Sequence, residues 1–542
     1  MLSWCKIRFL HNNSCVAAFI RQYGRYTDQA EFPRITVPQP MIEKLHRHNL
    51  RKEKEKARKS REKLTSLVIT SKRREFQFYK GQKFDVFDAK KLASHGWKHR
   101  NSGADYFTLL SHASNPAMRT GGDGMGSFTD LQLDDRLLQF LEAHKITAPT
   151  QVQARLIPVV KEGKHAVCAS ETGSGKTLAY LLPLFHNILK LKKAGQYDES
   201  MTNAPLCIVM VPSRELVKQV KEVCESMEQY TGLVPVALRQ DTIRQLKTEN
   251  TKVDILIGNP YKVQKLIASG GIDVSRLTSL VVDEADTLLD DSFSNDTLAV
   301  LRRLQVGGGS GTELGDSGYV SEGVQVTLVS ATYPQGLEQT VGDVLPFDSM
   351  EKVKTSGLHQ LMPHVPQKFM KMKSKDKLPT LVEMLKRKPD VNYMVFVNST
   401  RCCYWLSQTL TEVGLKNLCV SKEESVKDRQ SALESFHRGE NNILLCTDIL
   451  SRGIDTRAVD HVVNFEFPHF LSDYIHRAGR VGRVGGKNTG HVTSFICQPF
   501  EVDLVWKIEV AARQKSELHN VNANIKRKLE GRVNMQKKGL DL

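Results

Sequence analysis

The chain has 542 residues, room for two or three domains, and its 40% hydrophobic and 25% charged residues exclude wholesale disorder. No stretch offers about 18 uncharged apolar residues in a row, so no membrane-spanning helix is expected. The 77 Lys+Arg against 60 Asp+Glu give +17, which points to a polyanionic partner and says nothing about fold.

The charge is unevenly spread. Residues 1–126 hold 25 Lys+Arg and 11 Asp+Glu, a net of +14, and the tail from His519 carries +4, leaving the 392 residues between them at −1. Ten cysteines without a C-x-x-C pair are no disulfide scaffold and no zinc knuckle, and they fit a reducing compartment.

From Met1 to Thr27 there is no acidic residue. Lys6, Arg8, Arg21 and Arg25 alternate there with Leu2, Trp4, Ile7, Phe9 and Leu10, the composition of a mitochondrial targeting presequence over 1–27. Residues 28–126 are expected to form a basic, partly disordered extension. Its run Lys44–Lys63 (KLHRHNLRKEKEKARKSREK) reads equally well as a solvated spacer or an RNA-contacting arm. Lys72-Arg73-Arg74 also fits a nuclear signal, which leaves a nuclear or nucleolar pool open beside the mitochondrial matrix.

From about Ser127 the pattern changes to short β-branched runs alternating with amphipathic helices. Strands are expected at His165–Ser170, Leu206–Val211, Asp254–Ile257, Leu277–Val282 and Val324–Val329. A second series runs Tyr393–Val397, Leu415–Val420, Asn442–Cys446, Val462–Phe465 and Val492–Ile496. Near-continuous apolar strands separated by helix-length segments predict α/β domains, each a parallel sheet with helices on both faces. The expected boundaries are 127–348 and 349–514, followed by a basic tail over 515–542. Gly307–Gly318 (GGGSGTELGDSG) is expected to be an exposed loop.

After the first strand comes Ser170-Glu171-Thr172-Gly173-Ser174-Gly175-Lys176-Thr177, opening a helix. Such a turn aims consecutive backbone N–H groups at one spot, where the helix dipole also favours an anion. Lys176 would reach the β- and γ-phosphates of ATP, and the Thr177 hydroxyl would ligate Mg²⁺. About 110 residues later LTSLVV ends in Asp283-Glu284-Ala285-Asp286. Carboxylates at the end of a buried parallel strand point into the nucleotide crevice, where Asp283 suits Mg²⁺ held through water and Glu284 suits the attacking water. In the second domain, His476–Arg483 (HRAGRVGR) carries Arg480 and Arg483 on a turn after a helix. Guanidinium binds phosphate bidentately, so both are suited to the γ-phosphate from the facing domain.

ETGSGKT, PSREL at Pro212–Leu216, DEAD at 283–286, SAT at Ser330–Thr332 and HRAGRVGR occur in the order of DEAD-box ATP-dependent RNA helicases, which the chain resembles over about residues 127–514. With the presequence and basic arm it is similar to the mitochondrial members of that family in vertebrates. The resemblance implies two RecA-like domains and ATP with Mg²⁺. It implies Gln153 as adenine reader with Phe128 upstream, and Gly453 and Asp455 at the nucleotide, Asp455 on the ribose. It implies Pro212, Arg214 and Thr447 on RNA, and Ser330 and Thr332 coupling hydrolysis to strand separation. The partners implied are RNA held without regard to sequence, mitochondrial ribosomal RNA among it, and large-subunit assembly intermediates, with the protein acting as a monomer. Departures from the pattern are Ile146 for the adenine-stacking aromatic, and Asn259-Pro260-Tyr261-Lys262 for Thr-Pro-Gly-Arg. Lys262 can still meet a phosphate. These departures keep a second reading open, an ATP-gated RNA clamp or assembly scaffold with little unwinding. A DNA translocase is disfavoured by DEAD in place of a DEAH-type motif.

Overall fold

The computed structural model describes residues 48, 67–85, 89–99, 102–118, 126–195, 200–290, 293–304, 306, 312–314, 318–320, 323–333, 336–421, 423–448, 458–484, 490–518 and 521. Residues 1–27, expected to be a targeting presequence, the Lys44–Lys63 run apart from His48, and Gly453 with Asp455 lie outside the described residues. Among the described residues no helix is long and apolar enough to cross a membrane.

The first lobe is built on β4 (Ala166–Ala169), β5 (Cys207–Met210), β6 (Pro235–Ala237), β7 (Ile255–Gly258), β8 (Ser279–Asp283), β11 (Gln325–Ser330) and β12 (Glu351–Lys354). They form one sheet in the order β12-β4-β11-β8-β5-β7-β6, parallel throughout. The two-residue period of a strand divides its side chains between two cores. Cys168, Val209, Ile257 and Val281 pack with helices Gln151–Lys161, Lys176–Lys193 and Arg214–Thr231. Val167, Ile208, Leu256 and Val282 pack on the other face with helices Pro260–Ala268 and Ser294–Arg303. β12 joins this sheet beside β4, so the first lobe runs past the boundary expected at 348. Its exposed Glu351-Lys352 and Lys354 give it no apolar signature. The glycine-rich stretch is not wholly loop. β9 (Thr312–Leu314) and β10 (Gly318–Val320) pair antiparallel, from Gly318↔Leu314 to Val320↔Thr312.

The second lobe holds β13 (Gln367–Lys371), β14 (Tyr393–Phe396), β15 (Leu418–Val420), β16 (Ile443–Cys446), β17 (His461–Asn464) and β18 (His491–Ile496), again parallel and covered on both faces. These are two RecA-like domains, as expected. In each, the carboxyl ends of the parallel strands lie along one edge, where ligands of open α/β sheets bind.

The extension departs most from its expected character. The described residues between 67 and 118 are folded: β1 (Leu67–Ser71), β2 (Phe78–Tyr79) and β3 (Asp105–Leu109) continue the second sheet antiparallel, in the order β13-β3-β1-β2. The high charge of 28–126 hides a small apolar set, Val68, Ile69, Trp97, Phe107 and Leu109, which enters the second lobe's core. Phe107 stacks on Phe369 with ring centroids 5.0 Å apart. Trp97 is 1% exposed and donates from Nε1 to Asp105 Oδ2 at 2.8 Å. The buried Glu509 carboxylate on helix Pro499–Gln514 accepts from Ala93 N, Ser94 N and Ser94 Oγ, and pairs with Arg513. Truncating Trp97 to alanine removes a fully buried indole and should cost about 3–5 kcal/mol of unfolding free energy. Chemical denaturation of the second lobe reads this directly; an unchanged midpoint would mean that the extension does not dock on it.

Candidate nucleotide site and RNA groove

Three strand ends bring the first lobe's polar residues together. β4 leads into the turn Ser170–Gly175, where Gly173 and Gly175 take φ of +76° and +91°, conformations open to glycine. Lys176 and Thr177 open the helix Lys176–Lys193. Lys176 Nζ donates to the carbonyls of Ser170 and Glu171, each at 3.0 Å, so the ammonium lies over the turn. Ser174 is buried, its Oγ 2.7 Å from Ser170 Oγ.

β8 ends in Asp283, whose Oδ2 accepts from Tyr180 Oη at 3.0 Å. Burial, and then the charge of Glu284, push the Asp283 carboxyl up to about 7 despite the pull of Lys176. A carboxyl in that setting gains from a nearby cation. Glu284 sits in the left-handed region at φ +54°, uncommon for a non-glycine residue. Its Oε2 is buried without a hydrogen-bond partner. β11 ends in Ser330, and Thr332 Oγ1 donates to Asp286 Oδ2 at 2.6 Å. The same carboxylate oxygen lies 3.2 Å from Nε2 of His476 in the second lobe.

The second lobe closes over these groups. Helix Leu471–Ala478 leads into the turn holding Arg480, which is 1% exposed, and Arg483. A Cβ on Gly173 would lie 2.6 Å from Arg483 Cγ, so the arginine stem rests on the phosphate turn. Val484 N donates to Gly173 O at 3.1 Å, a backbone bond between the lobes. Arg429 pairs with Glu215 across the same gap at 3.0 Å, both side chains buried. The cleft between them is about 680 Å³ and is lined by Thr172, Gly173, Gly175, Lys176, Thr177, Asp283, Glu284, Arg480 and Arg483, among others.

The two residues expected at adenine have partners of their own. Phe128 is 4% exposed in the first lobe's apolar core and does not line the cleft, because its ring packs among the leucines of that core. Gln153 Oε1 accepts from Thr150 N at 2.9 Å and its Nε2 donates to Gly175 O at 3.1 Å. Its amide braces the phosphate turn and keeps one N–H and one lone pair for any other partner.

A second cavity, also about 680 Å³, is lined by Arg214, Lys218, Arg239, Lys247, Lys262 and Lys265, with Tyr261 on its wall. Arg214 and Lys262 are brought together here, and burial, then Arg214, lowers the Lys262 pKa. Lys262 Nζ donates to Leu238 O at 2.9 Å. Pro212 follows β5, half-buried, and Thr447 follows β16, its N–H donating to Val420 O at 3.4 Å; neither lines this cavity. Arg239 and Lys247 lie outside any motif and are gathered only by the fold.

Residues 150–340 match the DEAD/DEAH box helicase family and 376–485 the helicase conserved C-terminal domain. The chain is 40% identical over 448 residues to a mouse (Mus musculus) protein named probable ATP-dependent RNA helicase DDX28, covering 80% of this chain and 82% of that one. It is 31% identical over 423 residues to DEAD-box ATP-dependent RNA helicase 39 of Arabidopsis thaliana, covering 76% and 65% respectively. Among solved structures, S. cerevisiae Dbp5 bound to RNA and ADP BeF3 superposes with a TM-score of 0.60 at 24% identity, covering 77% of this chain and all of that one. Mss116p bound to ssRNA and AMP-PNP gives a TM-score of 0.58 at 21% identity, over 74% and 80%. These two likenesses bear on the fold; the family rests on the domain matches and the 40% identity. The chain belongs to the DEAD-box family of ATP-dependent RNA helicases.

Proposed function

We propose that this protein uses ATP binding and hydrolysis to unwind RNA locally or remodel RNA–protein complexes, in the mitochondrial matrix and on large ribosomal subunit assembly intermediates. The observation that carries the enzymatic part is the buried, unpartnered Oε2 of Glu284, in a cleft that Arg480 and Arg483 line from the other lobe. A carboxylate oxygen at the cleft wall with no hydrogen-bond donor of its own is suited to orient one water molecule and take its proton. Lys176 and the N–H groups of the turn would hold the phosphates. The two guanidiniums, from the facing lobe, would meet the charge that develops on the terminal phosphate. Thr177 and Asp283 fit Mg²⁺, Asp283 through water, because its buried carboxyl gains from a cation. The ion would neutralise phosphate charge.

RNA is expected to lie along the basic cavity of Arg214 and Lys262. The Asp286 carboxylate, held by Thr332 and beside His476, supports coupling between nucleotide state and lobe closure. The organellar role rests on the acid-free stretch to Thr27 and on the resemblance to mitochondrial members of the family. Replacing Lys262 by alanine should weaken single-stranded RNA binding and lower the slope of log affinity against log salt by about 0.7, the share of one phosphate contact. Fluorescence anisotropy at several salt concentrations measures both. An unchanged slope would remove RNA from this cavity. ATP-driven release of a strand from a short duplex separates the helicase from the clamp.

A further inference from the structure

We infer that Asn115, in the folded part of the N-terminal extension, is a positioning residue for the turn carrying Arg480 and Arg483, so that residues 67–118 contribute to the ATP site in cis. The inference rests on the ATPase reading above and extends it to a segment outside both family domains.

Asn115 Nδ2 donates to the carbonyl of Gly482 at 3.1 Å, across 367 residues of sequence. Its Oδ1 accepts from Ala117 N at 3.0 Å, a local turn that fixes which way the amide points. His364 Nε2 lies 2.9 Å from the same Gly482 oxygen. A carbonyl only accepts, so Nε2 carries the proton, and two donors fill both lone pairs.

Gly482 stands between the two arginines, and its backbone is seated directly on this surface. A Cβ there would lie 2.5 Å from Val365 Cγ2 and 2.7 Å from His364 Nε2. On the other side of the turn, the Arg483 stem rests on Gly173. The turn is therefore clamped between the phosphate loop and the pair Asn115–His364. A guanidinium acts on a terminal phosphate only from the right place, and a misplacement of about 1 Å can cost 100-fold in rate.

The strap that brings Asn115 here is itself tied down. After β3 ends at Leu109, His112 N and Ala113 N donate to Pro363 O at 2.9 and 3.3 Å. Pro116 and Ala117 are buried, and a Cβ on Gly357 would meet Pro116 Cγ at 3.1 Å. Asn115 thus lies on a short, anchored segment fastened to the inter-lobe linker.

Two substitutions in the full chain separate the roles of the amide. Asn115→Asp keeps the oxygen that accepts from Ala117 but has no N–H for Gly482. Asn115→Gln keeps a donor on a longer arm and disturbs the local turn. RNA-stimulated ATP hydrolysis should fall about tenfold in kcat for Asn115→Asp, with KM for ATP within about twofold and the thermal midpoint unchanged. Asn115→Gln should keep at least about half of the kcat. Normal kcat in Asn115→Asp, equal losses in both variants, or a loss that follows a lowered melting point would overturn the inference. Arg483→Ala tests the ATPase reading separately. If it retains full kcat, that reading fails; if it loses kcat beside a normal Asn115→Asp, only the positioning role is removed.

Discussion

Glu284→Gln should lower RNA-stimulated phosphate release by about 100-fold or more while leaving KM for ATP nearly unchanged. The carboxamide has the shape of the carboxylate, so the backbone at φ +54° and the start of the following helix stay as they are. What is lost is an acceptor able to take a proton from water. A 100-fold fall corresponds to about 2.7 kcal/mol in the barrier. Because nucleotide contacts remain, the variant should still close on RNA and be trapped there, so RNA affinity in ATP should rise as phosphate release falls. Release at the normal rate would assign the proton to another group. A parallel rise in KM would instead mean that Glu284 binds nucleotide rather than water.

Gly479→Ala should prevent closure without unfolding either lobe. Gly479 follows helix Leu471–Ala478 with an ordinary φ of −67°, so backbone strain is not the issue. The obstacle is across the cleft: a Cβ would lie 1.5 Å from Thr172 Oγ1 and 2.5 Å from Thr172 Cβ. No rotamer change relieves the second contact, because Thr172 Cβ is fixed by the phosphate turn. The lobes must part, and both arginines withdraw with the turn. Losing such arginines costs about 10³-fold or more in related phosphoryl-transfer sites, and a loss of that order in RNA-stimulated kcat is expected. Nucleotide-dependent RNA affinity should fall with it, while the melting temperature holds. Wild-type kcat in Gly479→Ala would mean that hydrolysis does not require these lobes to meet.

How much of this could be read in the amino-acid order follows from where each residue's partner lies. β4, β5, β8, β11, β14, β16 and β18 are apolar on both faces, so Cys207-Ile208-Val209-Met210 and its counterparts announce themselves. β13 does not, because Gln367, Lys368 and Lys371 flank only two apolar residues, Phe369 and Met370. β1 to β3 are hidden by averaging: the net charge of 28–126 says spacer, while seven buried apolar side chains within it join a core. The nucleotide site was legible because its residues come in contiguous runs, and a glycine turn before a helix has one physical meaning. Gln153 and Phe128 carry a further part that the amino-acid order does not announce, one as a helix-capping amide and the other as a core ring. Asn115 had no local signal, since its partner Gly482 lies 367 positions away.

Hydrolysis in this cleft turns on the approach of the second-lobe arginines to a bound triphosphate. A crystal structure of the full chain with a non-hydrolysable ATP analogue, Mg²⁺ and a short oligoribonucleotide measures this most directly. The predicted result is guanidinium nitrogens of Arg480 and Arg483 within about 3 Å of terminal-phosphate oxygens, with a water beside Glu284 Oε2. Guanidiniums turned away from the phosphate while nucleotide and RNA are both in place would contradict it.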